Sequence, residues 1–280
     1  VALRGFVVRG AVVFDGERRT SGDVWVSGVR ILAVGPRPEG EPEGAYAVID
    51  GKGKTLLPGL VDAHVHAGND EGNLAQALAF GVTTELDMFG PPPLLRSLRG
   101  REEAAELADL RGAGNLATVP GGHGTEYGIP IPTLTRPDEA PAFAKARFAE
   151  GSDFLKIVLE TQEAGYPSLR PETVAALAAA AHAERRLAVA HVGTQKDAED
   201  AVLAGVDGLM HLFVDSAPRA SLVEEIARRK VFVTPTITIL QTHCGIAPGA
   251  ALVRDPRVTP YLAEKEKQRL GWSPRSKPTG

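Results

Sequence analysis

The sequence has few of the features that mark secreted, membrane or nucleic-acid-binding proteins. It contains one cysteine, Cys244, among 280 residues, so no internal disulfide can form and nothing calls for an oxidising compartment. No apolar run reaches the roughly 18 residues that a membrane-crossing helix needs. Lysine and arginine number 31 against 35 acidic residues, and this net charge of −4 argues against a nucleic-acid binder.

The start of the chain also lacks a secretory signal, and it opens at Val1 instead of methionine, which leads us to expect further residues upstream. We expect a cytoplasmic protein with a small-molecule substrate and no nucleic-acid or membrane partner. The sequence does not decide whether the protein forms a homo-oligomer. A length of 280 residues suffices for one large α/β domain or two ordinary ones.

Two parts of the chain differ in pattern. Residues 1–54 hold short valine-rich runs between glycine turns, such as FVVRGAVVFDG, which predict a small β portion. Residues 55–280 alternate apolar strands with alanine-rich helices, which predicts βαβ units and a parallel sheet. Seven strands in succession without a dinucleotide fingerprint favour a barrel over an open sheet. These strands are predicted at 59–66, 82–89, 115–119, 153–159, 187–191, 206–211 and 231–236, with a helix at 101–109 before the third.

The first of these strands carries two histidines. In VDAHVH, the side chains of Asp62, His64 and His66 share one face because side chains alternate along a strand. Imidazoles with this spacing can bind one metal ion, and neutral histidine is the commonest metal ligand. For this motif alone, a pair of hydrogen-bonded core histidines is an equal alternative.

Two more histidines close later strands. His191 ends the strand in RLAVAHVG, and His211 ends the next in VDGLMHLF. The carboxyl ends of barrel strands are where active sites form. Since four of the seven histidines occupy predicted strand ends, the sequence favours a metal site over core histidines.

Lys156 lies among apolar residues in SDFLKIVLE. A bare ammonium there would be costly to bury and would repel cations. Its stem can carry the amine to solvent, or a neutral amine can react with carbon dioxide to form an anionic carbamate that bridges two metal ions. The four histidines favour the carbamate.

These motifs together resemble the amidohydrolase superfamily, and more closely its imidazolonepropionase-like branch, which includes prolidase-type dipeptidases and ochratoxin-hydrolysing amidases. LPGLVDAHVHAG, DFLKI, AVAHV and LMHLF carry the resemblance, which covers nearly the whole chain. It implies a (β/α)8 TIM-like barrel formed by residues 55–280 and a β-sandwich to which residues 1–54 contribute. It also implies two divalent metal ions, zinc being expected. His64 and His66 would bind the more buried ion, carboxylated Lys156 would bridge, and His191 and His211 would hold the second.

One residue of that family pattern is missing, namely the aspartate that ends strand eight, binds metal and accepts the proton of the attacking water. After Thr236 the acids are Asp255, Glu264 and Glu266, and none follows an apolar strand.

The barrel portion is also short, with 224 residues from Leu57 to Gly280 against roughly 250 for a complete barrel. We expect a chain truncated before strand eight, either a fragment of a longer polypeptide, which we favour, or a chain completed by a partner. Asp215 is an alternative catalytic acid, although a loop role is favoured for it.

Other polar residues are candidates for supporting roles. Asp62 and Asp87 either orient imidazoles or tie down loops. His123 in PGGHGTEYG, Tyr127 and Tyr166 follow the third and fourth strands, and they are candidates for contacts with the substrate. The alternative is that they are loop residues without a role in the site. His243 is a weaker candidate for a residue of the pocket or a metal ligand.

The resemblance implies a hydrolase that cleaves a C–N bond in a dipeptide, an N-acyl amino acid or a cyclic amide with metal-activated hydroxide. Two alternatives stay open. The same site can attack a lactone or a phosphate ester, or a truncated homologue can act as an inactive scaffold, since the strand-eight acid is absent.

Overall fold

The computed structural model describes residues 3–42, 44–67, 71–99, 106–160 and 165–272. The chain divides into two compact units, Val1–Leu60 and Val61–Gly280. The sequence pattern places the corresponding change between residues 54 and 55.

The first unit is a β-sheet in its described residues. β2 pairs antiparallel with β1 and β3, whereas β4 and β5 pair parallel with β1. Val7 and Val8 enter different apolar clusters because neighbouring side chains of a strand point to opposite faces. The strands are β1 Gly5–Phe14, β2 Arg19–Ser27, β3 Arg30–Val34, β4 Tyr46–Asp50 and β5 Thr55–Leu56.

The second unit alternates strands and helices, as the sequence predicts. Its strands form two sheets, in the orders β6-β7-β8 and β9-β10-β11-β12, and the pairings β7–β8, β9–β10, β10–β11 and β11–β12 are parallel. The strands are β6 Leu60–Val65, β7 Val82–Asp87, β8 Asp109–Gly112, β9 Leu155–Leu159, β10 Ala188–Val192, β11 Gly208–Met210 and β12 Phe232–Thr234.

Helices follow most of these strands. Within the described ranges, no helix combines the length and the apolar character needed to cross a membrane. The helices are α1 Glu71–Ala79, α2 Pro92–Arg99, α3 Ala140–Glu150, α4 Pro171–Ala183, α5 Gln195–Leu203, α6 Ala220–Arg229, α7 Ile237–His243 and α8 Glu264–Gly271.

The largest apolar core lies between β9–β11 and the helices α3 to α6. Leu155, Ile157 and Leu159 all join this core, because alternate residues of β9 share one face. The same alternation directs Lys156 to the opposite face, away from the helices. The strand pattern thus decides which polar side chains are available for a site.

The third strand differs from its prediction at 115–119. The strand forms at Asp109–Gly112, and within 115–119 Ala117 makes an isolated parallel bridge to Ile157. Gly114 has φ +62°, a conformation that favours glycine, and it turns the chain between the two segments.

The helix predicted at 101–109 is replaced at its end by β8, and residues 101–105 lie outside the described residues. The sequence-based predictions contain no helix at the position of α2, which begins in the prolines of GPPPLLRSLR. Proline is well tolerated in the first turn of a helix, where its missing N–H costs no hydrogen bond.

Candidate metal centre

Histidines from distant parts of the second unit converge on one place. The ring centroids of His66 and His64 are 5.5 Å apart, those of His64 and His211 are 4.4 Å apart, and those of His211 and His191 are 4.7 Å apart. His123 extends this arc, with its ring centroid 4.8 Å from that of His191. The structure therefore brings together the four histidines that the sequence singles out, and adds a fifth.

The strands explain this convergence. His64 lies in β6 and His191 in β10, while His66 and His211 follow the last residues of β6 and β11. His191 is paired with Met210 on β11, so His211 comes one residue further along the neighbouring strand. Parallel strands present their carboxyl ends at one side of the sheet, and the imidazoles meet there.

Lys156 belongs to the same group. Its side chain is buried, with 3% of the residue exposed, and burial lowers the pKa of the amine to about 7. In its protonated form the amine would also lower the pKa values of His64, His66, His191 and His211. The amine therefore does not reach solvent, which disfavours the alternative in which the stem carries it outward.

The histidines are held in their neutral form. Burial, followed by the charge of Lys156, lowers the pKa of His64 to about 3. Burial and the neighbouring His191 lower that of His211 to about 2. Burial also lowers the pKa values of His66 and His191. Neutral imidazoles keep a lone pair on one ring nitrogen, which is what a metal ion needs.

One of the ring nitrogens described in the cluster lacks a hydrogen-bond partner. His64 Nδ1 is buried and has no hydrogen-bond partner among the described residues. A buried polar atom without a partner is costly, and a bound cation would satisfy it. The donor set of four neutral imidazoles and a neutral amine therefore fits divalent metal ions.

The neighbouring aspartates bind backbone. Asp62 Oδ1 accepts a hydrogen bond from the His64 N–H at 3.1 Å, and Asp87 Oδ1 accepts one from the Phe89 N–H at 2.8 Å. His66 Nδ1 donates to the Phe89 carbonyl at 3.5 Å. Asp87 thus holds the loop at Phe89, and this loop in turn holds the His66 ring. The two roles predicted for Asp87, tying down a loop and orienting an imidazole, therefore occur together.

A second polar group surrounds His123. His123 Nδ1 lies 2.9 Å from Glu126 Oε1 and 3.4 Å from Glu160 Oε2, and Glu160 Oε2 lies 3.5 Å from His191 Nε2. His123, Glu160 and His191 each offer a ligand atom, and these atoms lie within 4.8 Å of one another. This trio, which we call the mouth group, could also hold a cation.

Glu160 is absent from the sequence-based predictions, although the sequence contains a signal for it. Lys156 and Glu160 are four residues apart in LKIVLE, and alternation along a strand places such residues on one face. The close side-chain contact with His191, followed by the charge of that ring when it is protonated, holds the pKa of Glu160 below its usual value. The site therefore contains an ionised carboxylate beside its imidazoles.

The remaining candidates lie at different places. The rings of Tyr127 and Tyr166 are 6.1 Å and 5.9 Å from that of His123, so both are neighbours of the mouth group. Asp215 Oδ1 accepts a hydrogen bond from the Gln195 N–H at 3.0 Å, which is a loop role. His243, in α7, is exposed.

Comparison with known proteins supports the same assignment. The model of the amidohydrolase family matches residues 55–259, well over half of the chain. The chain is 30% identical over 150 residues to an N-acyl-D-aspartate deacylase of Alcaligenes xylosoxydans xylosoxydans, covering 43% of this chain and 28% of that protein. It is 40% identical over 98 residues to an allantoinase of Rubrobacter xylanophilus, covering 31% of this chain and 20% of that protein. The matched segments thus span less than a third of either relative.

A solved prolidase, complexed with N-methylphosphonate-L-proline, superposes with a TM-score of 0.68 at 20% sequence identity, covering 96% of this chain and 70% of that one. This likeness supports a TIM-barrel-like α/β fold. The resemblance stated from the sequence motifs is confirmed by the family model, and the chain belongs to the amidohydrolase family.

Proposed function

We propose that this protein is a metal-dependent hydrolase that cleaves a C–N bond, in an N-acyl amino acid, a dipeptide or a cyclic amide. The observation that carries the proposal is the arc of His66, His64, His211 and His191, with adjacent ring centroids 4.4 to 5.5 Å apart around a buried lysine. The names of the relatives support the bond type, since one is a deacylase, one an allantoinase and one a prolidase.

The proposal includes the finer architecture. The two parallel sheets of the second unit would be parts of a (β/α)8 barrel, and residues 1–54 would contribute to a β-sandwich. Strands that follow one another in chain order, each with its helix, support the barrel.

Each residue of the cluster has a proposed role. His64 and His66 would hold one divalent ion, His191 and His211 a second, and zinc is the metal we favour. When bound, the ions would act as Lewis acids and make water a nucleophile near neutral pH.

Lys156 would bridge the ions as a carbamate. Its neutral amine attacks carbon dioxide, a C–N bond forms and the amine releases one proton. Burial supports this role, because a pKa of about 7 leaves much of the amine unprotonated at neutral pH.

The mouth group would handle substrate and proton. Glu160 Oε2 lies within 3.5 Å of ring nitrogens of both His123 and His191, so a proton taken up there can pass to either imidazole. His123 and Tyr166, whose rings are 5.9 Å apart, would orient the substrate by hydrogen bonds.

Metal analysis and a substrate panel test the proposal. The zinc-loaded protein should contain close to two ions and hydrolyse some N-acyl amino acids, dipeptides or cyclic amides, and chelation should abolish this activity. His211→Asn should lose metal and activity, whereas His243→Asn, at an exposed histidine, should keep both. Undiminished hydrolysis after chelation, or hydrolysis confined to lactones or phosphate esters, would contradict the proposal.

A further inference from the structure

We propose that a cavity next to His66 binds an apolar group of the substrate, so that the enzyme prefers amides carrying an aromatic or aliphatic group beside the scissile bond. This inference rests on the proposed function and adds a substrate class to it. It comes from a cavity that adjoins the metal cluster at His66.

The cavity has a volume of about 410 Å³, which lies within the range of roughly 300–1,000 Å³ for small-molecule sites. Its apolar walls come from the loops after β7 and β8, and two polar side chains complete it. The walls are Phe89, Pro91, Tyr127 and Ile129, and the polar side chains are His66 and Asn115. A mostly apolar cavity with a few polar groups is the usual composition of a ligand site.

The cavity lies next to the histidine cluster. His66 lines the cavity and is also one end of the histidine arc, with its ring 5.5 Å from that of His64. The rings of Phe89 and Tyr127 lie 5.9 Å apart in the wall. A group lying against these rings would therefore stand next to the His66 end of the arc.

Charge distinguishes the two ends of the arc. At the His191 end stand Glu160 and, around His123, Glu126, so that end offers two carboxylates. At the His66 end the cavity walls are mostly apolar and include no carboxylate. The substrate would therefore lie with its apolar group at His66 and with hydrogen-bond donors or a cationic group at Glu160.

The hydrophobic effect predicts how much the binding affinity should change with the length of the apolar group. Each methylene that leaves water for an apolar site strengthens binding about fourfold. Affinity should therefore rise with chain length until the cavity is filled, and then level off.

Ile129 offers a test variant with a matched control. Ile129 is 50% exposed and Ile246, in the loop after α7, is 52% exposed, so either can be changed without opening a buried core. Ile129→Ala removes part of the cavity wall, and Ile129→Trp fills the cavity. Ile246→Ala removes the same number of atoms elsewhere.

Calorimetric titration of the protein, with zinc added, tests binding without any need for hydrolysis. The probes are linear carboxylates from acetate to octanoate and linear amines of the same lengths, which distinguish an apolar group on the acyl side from one on the amine side. We expect one series to strengthen with length. Ile129→Ala should weaken its longest members several-fold, Ile129→Trp should abolish the length dependence, and Ile246→Ala should leave it unchanged.

The result that would overturn the inference is a flat response to length in both series, or equal effects of Ile129→Ala and Ile246→Ala. This failure is distinguishable from failure of the proposed function, which shows as missing metal or missing hydrolysis. A length-dependent series that responds to Ile129 supports the cavity whatever the hydrolysis panel gives. Hydrolysis together with a flat response to length in both series would leave the proposed function standing and overturn this inference.

Discussion

Thr236 Oγ1 and His211 Nδ1 share a hydrogen bond 2.8 Å long, and both residues have a left-handed backbone, with φ +44° and φ +75°. For a β-branched residue such as threonine this conformation is costly, and strain of this kind concentrates at functional sites. The bond occupies Nδ1 and leaves Nε2 of His211 as the nitrogen available to the cluster.

Thr236→Val should weaken zinc binding about 10- to 100-fold, because loss of a partner that orients a metal-binding histidine has effects of this size. Thr236→Ser keeps the hydroxyl and should bind zinc as the wild type does. Competition with a chelator measures the affinities, and NMR of the metal-free protein reports the His211 tautomer. Equal zinc affinity in Thr236→Val and Thr236→Ser would show that the hydroxyl has no positioning role.

Lys156→Met should lower the bound metal below two ions and stabilise the metal-free protein. The apolar side chain removes the cost of burying an amine, which we put at no less than about 1 kcal/mol. Lys145→Met, at an exposed lysine of α3, is the control. Metal analysis and thermal unfolding test both effects.

Carbon-13 NMR under labelled carbon dioxide tests the carbamate directly. The metal-loaded wild type and Lys145→Met should show its signal, and Lys156→Met should not. Two bound ions in Lys156→Met would argue against a bridging role.

Glu160→Gln should lower kcat/KM by at least about tenfold while bound metal at the histidine arc is retained, because the amide cannot accept a proton. Glu126→Gln changes the other carboxylate beside His123, whereas it is Glu160 that lies beside both His123 and His191. It should have the smaller effect. If the two variants lose activity equally, the contact of Glu160 with His191 does not matter for the reaction.

Glu85→Gln should stabilise the protein at pH 8 more than at pH 5. Burial, with the charges of Asp62 and Asp87, raises the pKa of Glu85 from 4.5 to about 7. Between these values the folded state keeps a proton that the unfolded chain has released, so stability falls as the pH rises through this window.

Glutamine does not titrate and so removes that loss of stability. We expect the free energy of unfolding of Glu85→Gln at pH 8 to exceed that of the wild type by on the order of 2 kcal/mol. Urea unfolding at both pH values measures it, with Glu224→Gln at an exposed position of α6 as the control. A gain at pH 8 no larger than that at pH 5 would contradict the expected sign.

The sequence by itself determines much of the second unit. Alternation along β9 sends Ile157 to the helices and Lys156 to the other face, and this follows from local geometry alone. The carboxyl ends of parallel strands lie together, so histidines at strand ends such as His191 and His211 can be expected to meet. These predictions needed neither the register nor the exact strand lengths.

Tertiary structure decided the features that depend on turns and register. The strand at Asp109–Gly112 forms because it pairs with β7, while Gly114 turns the chain out of the predicted segment. Glu160 meets His123 and His191 only in the folded chain, and Thr236 bonds to His211 from a distance of 25 residues. Residue type does not reveal the sign of φ at a threonine or the partner of a side chain in a loop. Both follow from contacts between segments far apart in the chain, and these exist only once the strands have packed.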